Sequence, residues 1–119
     1  MKKKIIIALF IAVAVLLAAC GGSKKPNTMT QDTYDNGCRA LEIMEKYNSA
    51  DISKADAKDR LENIQRALDS EREGLDDILY SSDNLLVSLT ISHFLYAVDG
   101  TTSVNTIDEE KELRELLGK

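Results

Sequence analysis

Leu85 to Val98 is the stretch that most constrains what this chain can fold into. Ten of its fourteen residues are apolar and none is acidic or basic, His93 aside. It is too short to cross a bilayer, which takes about 20 apolar residues. Leu-Val-Ser-Leu-Thr-Ile is locally strand-like. No other stretch offers it a strand partner, and an isolated pair is marginal in water. The stretch is therefore predicted as a helix. A helix that is apolar nearly all round is normally the buried centre of a bundle.

The neighbouring segments supply the rest of such a bundle. Tyr34, Cys38, Leu41 and Met44 recur at spacings of 4, 3 and 3, with Thr30 as N-cap. Gly37 falls inside this pattern. Either the helix starts late there, or Gly37 admits a close approach by another helix. Asp51-Ile52-Ser53-Lys54-Ala55-Asp56-Ala57 reads as a helix start, with Ser53 as N-cap and Asp56 returning the bond. Ala57, Leu61, Ile64 and Leu68 then form a second stripe, which Gly74 ends. The short turn between the first two helices predicts an antiparallel hairpin. Ser81-Ser82-Asp83 offers caps for the third helix, and Asp99-Gly100 stops it. Thr106-Ile107-Asp108-Glu109 reads as a capping box opening a fourth helix that packs through Ile107, Leu113, Leu116 and Leu117. The expected fold is all-α, a small bundle of about four helices.

Met1 to Cys20 is organised differently. Lys2, Lys3 and Lys4 precede an unbroken apolar run, Ile5 to Ala19, which ends in Leu17-Ala18-Ala19-Cys20 and is followed by Gly21-Gly22-Ser23. A positive start, an apolar run of roughly 15 residues and small residues before the cut describe a signal peptide. Leu17-Ala18-Ala19-Cys20 resembles the lipobox of bacterial lipoproteins. The resemblance covers only residues 1–23. It implies lipid on the sulfur of Cys20, cleavage between Ala19 and Cys20, and an extracytoplasmic domain. That domain would stand on the cell membrane, or on the outer membrane of a Gram-negative cell. The expected organisation is a signal peptide over 1–19, a lipidated tether over 20–29 and a helical domain over 30–119.

Loss of the three leader lysines leaves 12 basic against 20 acidic residues, a formal charge of −8. That argues against nucleic-acid binding, which needs a basic face. With Cys20 claimed by lipid, Cys38 is left without a disulfide partner and reads as a small buried apolar residue.

Little in the domain points to chemistry. His93 is the only histidine, so a Cys38–His93 nucleophile pair would lack an orienting third group. A core histidine is the simpler reading. Asp76-Asp77 and Asp108-Glu109-Glu110 lack calcium-loop spacing. No phosphate loop, paired-cysteine zinc site or serine elbow is present. Among the tyrosines, Tyr80 is the one expected to be exposed. The chain is therefore expected to be no enzyme, to carry no cofactor or metal, and to bind an envelope protein. A ligand pocket near His93 and Cys38 is the alternative. A third reading, by analogy of size, is an exclusion or immunity lipoprotein of a phage or conjugative element.

Overall fold

The computed structural model describes residues 25–100 and 105–119. Four helices follow in order: α1 Gln31–Asn48, α2 Lys54–Glu73, α3 Ile78–Asp99 and α4 Thr106–Leu116. No described residue lies in a strand, so the architecture is the expected all-α bundle of four helices. Polar contacts between helix ends give the directions. Thr30 and Thr33, at the start of α1, donate to Glu71, at the end of α2. Arg72 reaches Asn84 near the start of α3, and Lys58 reaches Asp99 at its end. Asn48, closing α1, donates to the Thr106 carbonyl and to Glu110 as α4 opens. Successive helices therefore alternate up and down. α1 touches all three others, and α3 is flanked by α2 and α4, which do not meet each other among the described residues.

The caps decide where the helices begin. Thr30 accepts from Thr33 N and Ser53 from Asp56 N, at the expected positions. α3 differs from the expectation. Asp77 caps it, its side chain accepting from Leu79 N, so the helix opens before the Ser81-Ser82-Asp83 run. α4 is capped by Asn105, which accepts from Asp108 N, and Thr106 is already in the first turn. Asn is as good a cap as Thr, and here it lies one residue earlier. Gly100 closes α3 with φ 71, the left-handed conformation that glycine adopts without strain.

Gly37 resolves its two readings in favour of close approach. It lies inside an unbroken α1, and a Cβ built on it would come within 2.7 Å of Leu117 Cδ2. Leu117 is fully buried, so the missing side chain makes room for the end of α4. The core comprises Leu41 and Met44 of α1, Leu61 and Leu68 of α2, Val87, Ile91 and Phe94 of α3, and Leu113 of α4. The Tyr47 ring meets Phe94 edge-on, centroids 5.7 Å apart. Edge-to-face contact of this kind is the favoured aromatic arrangement.

Two expectations about burial are corrected. Met29, the last residue of the tether expected over 20–29, is 2% exposed and belongs to the core. Lys25 Nζ donates to the Met29 carbonyl at 2.6 Å, and Thr28 donates to Asp83. Met29 at N′ and Tyr34 at N4 hold the positions of a hydrophobic staple, so the packed domain begins before Thr30. Ile107, expected in the core, is 68% exposed. Glu109, Leu113 and Leu117 share the inward face at spacings of 4 and 4, which turns Ile107 away.

Candidate functional site

α3 carries the feature most relevant to function, and it is the reverse of the expectation. Its buried residues are Asn84, Val87, Ser88, Thr90, Ile91, Phe94 and Val98. Positions 84, 87, 91, 94 and 98 fall at spacings of 3, 4, 3 and 4, one stripe of a helix with 3.6 residues per turn. That stripe includes a buried Asn, while six large apolar residues of the same helix face water. They are Ile78 at 78% exposure, Leu79 at 57%, Leu85, Leu86 and Leu89 at 43 to 45%, and Tyr96 at 56%. Ile78, Leu85, Leu89 and Tyr96 lie about 180° from the core stripe, with Leu79 and Leu86 beside them. α3 is thus not the enclosed centre of the bundle. It is a two-faced helix with an apolar outer side.

Hydrogen bonds fix which way α3 is turned. Gln65 of α2 donates to the Ser88 carbonyl and, at 2.6 Å, to Ser92 Oγ. Asn84 is fully buried, and each of its polar atoms is used. Its Nδ2 donates to Thr33 Oγ1 and to the Leu68 carbonyl, and its Oδ1 accepts from Arg72. Thr33 passes the chain on to Glu71. A buried amide costs little only when satisfied in this way, so Asn84 locks α3 against α1 and α2 in one rotation.

The residues singled out from the sequence are not brought together. Cys38 is buried on the core face of α1. The chain's other cysteine, Cys20, lies outside the described residues, as do Leu17, Ala18 and Ala19. His93 is exposed, not a core histidine, because its position falls on the outer side of α3. The Cys38–His93 pair is therefore not formed, and these two residues do not bound a pocket between α3 and α1. Tyr80 is half-buried in the first turn of α3, and Tyr96 is the tyrosine that α3 exposes. A surface groove does occur on α2, lined by Lys54, Ala55, Lys58, Asp59 and Glu62 from that one helix. No cluster of three or more His, Cys, Asp or Glu side chains among the described residues is placed to hold a metal.

One titratable group stands out. Glu109 is 3% exposed, and its Oε2 has no hydrogen-bond partner. Burial pushes its carboxyl above the ordinary range, the Glu112 charge adds to this, and the nearby His93 opposes it. The folded state then binds a proton more readily than the unfolded chain does. Stability from this group is greatest in acid and falls as pH rises through the raised pKa. Glu109→Gln is expected to stabilise the domain by about 1 kcal/mol near neutral pH. It should also flatten the decline in melting temperature between the carboxylate range and pH 7, which thermal melts at several pH values would read. At the opposite edge, the hydrogen bond from Lys58 holds the Asp99 carboxyl below its usual value, with charge from Lys58 and Lys54 assisting.

No family model, curated protein or solved structure matches this chain. No helix among the described residues is long and apolar enough to cross a membrane.

Proposed function

We propose that this chain is a bacterial lipoprotein, anchored through Cys20, whose helical domain is a non-catalytic binding module for an envelope protein. The observation that carries the binding half is the outer face of α3. Five aliphatic side chains and a tyrosine on a single helix stay exposed although the domain has polar residues it could place there. Contiguous exposed apolar surface of this kind marks interaction sites in folded proteins. The anchor half rests on Lys2 to Cys20 and their order. The two halves fit each other in scale. Met29, the first core residue, lies nine positions after Cys20, so at most about 30 Å of extended chain separates anchor from core. Anchoring at that distance raises the effective concentration of the domain toward neighbours in the same membrane.

Cys20 has one sulfur, which can carry a lipid thioether or a disulfide but not both. Intact mass of the membrane-extracted protein, with and without reductant, decides between them. The expected result is a species beginning at Cys20 with added acyl mass, absent from a Cys20→Ala control. An unacylated chain that gains only the two hydrogens of a reduced disulfide would remove the anchor. The binding module would then need another route to its partner.

A further inference from the structure

Resting on the reading of the domain as a binding module, we infer that the outer face of α3 receives a cationic amphipathic helix of the partner. The stripe runs from Ile78 to Tyr96, about 27 Å at 1.5 Å per residue, which matches a partner helix of about 18 residues. At roughly 100 Å² per exposed side chain it offers on the order of 600 Å², the upper end for the largest apolar patch of a monomer. Between Ile78 and Val98 the only acidic or basic residues are Asp83, which accepts a hydrogen bond from Thr28, and His93, exposed on the outer side. The face itself therefore makes apolar contacts, in the manner of a helix laid into a groove.

The surroundings set the sign of the partner. Glu73, Asp76 and Asp77 are exposed where α3 begins. Beside α3, Glu62 lies three residues before Gln65 along the edge of α2 and is exposed. On the other side α4 packs against α3, and its Asp108 and Glu112 are exposed. Three cations of α2 are engaged within the fold. Lys54 and Lys58 hold Asp99, and Arg72 holds Asp69. An apolar stripe edged by carboxylates favours a partner with lysines or arginines beside its leucines. It disfavours both an anionic membrane surface and a second copy of a chain carrying −8.

The test uses the full chain in nanodiscs of zwitterionic lipid and two labelled 18-residue peptides of one helical pattern, Leu/Lys and Leu/Glu. Binding is read by fluorescence anisotropy, with empty discs as the blank. The Leu/Lys peptide is expected to bind at least ten-fold more tightly than Leu/Glu, more weakly as salt is raised, and at least ten-fold more weakly to the Leu86→Lys/Leu89→Lys variant. Both substitutions are at exposed positions, and an unchanged circular dichroism spectrum would show the fold intact. Equal binding of the two peptides would overturn the cationic assignment while leaving a docking face. Binding undiminished in the double variant would overturn the face itself. Crosslinking of two copies through α3, or quenching of α3 by the lipid of the disc, would give the stripe to another occupant and sink the inference.

Discussion

Phe94→Ala is expected to remove most of the stability of this domain, while Leu86→Ala or Leu89→Ala on the same helix removes almost none. Phe94 is fully buried against Tyr47, and truncating a buried Phe costs about 3–5 kcal/mol through lost transfer energy and the cavity left behind. A domain of this size has on the order of 5–13 kcal/mol in all. Leu86 and Leu89 keep nearly half of their surface in water, so their loss falls within about 0.5 kcal/mol, as for surface substitutions generally. Urea titrations followed by helical circular dichroism give both numbers. The contrast tests the orientation of α3 more directly than either value alone. Similar losses at Phe94, Leu86 and Leu89 would mean that the helix is enclosed on both sides, and the docking face would disappear with that result.

The same contrast shows what in the fold could be read from the chain and what could not. The stripes of α1 and α2 stood out because each has one apolar face and a charged remainder. Ser53 announced its cap because Ile52 and Asp56 stand in fixed relation to it. α3 offers no such contrast. With ten apolar residues in fourteen, hydrophobicity alone points in every direction, and the count suggested enclosure. What orients the helix is polar. Asn84, Ser88 and Thr90 are buried, and only their partners on other helices make that burial inexpensive. Gln65, Arg72 and Thr33 lie far away in sequence, so nothing local to α3 reveals the choice. Glu109 is legible in the sequence. Its spacing of four from Leu113 and eight from Leu117 puts it on the inward face, although acids in a first turn more often sit in solvent and serve the helix dipole. Met29 could likewise have been found from its position just before the Thr30 cap.

Asn84 should be the most sensitive polar position in the bundle, and two substitutions there separate hydrogen bonding from packing. Asn84→Ala removes the donor to Thr33 and Leu68 and the acceptor for Arg72, and opens a small cavity. The expected loss is about 2–4 kcal/mol, the sum of unsatisfied buried partners and lost contacts. Asn84→Asp keeps the shape and the bond from Arg72. It replaces the Nδ2 donor with an oxygen facing the Leu68 carbonyl and Thr33 Oγ1. At neutral pH the ionised carboxylate meets a carbonyl it cannot bond, and the loss should equal or exceed that of Asn84→Ala. Protonation restores one donor, so the folded state of this variant favours the acid form and its carboxyl pKa is raised. Proton uptake is then greater in the folded chain, and the variant regains stability as pH falls. Urea midpoints at pH 7 and near pH 4, each referred to the unsubstituted chain, measure the effect. A smaller deficit for Asn84→Asp in acid, with an unchanging deficit for Asn84→Ala, identifies the amide donor as the group that holds α3 with its leucines outward. Equal deficits at both pH values would shift that role to packing around Val87 and Ile91, and the polar account of the helix orientation would fail.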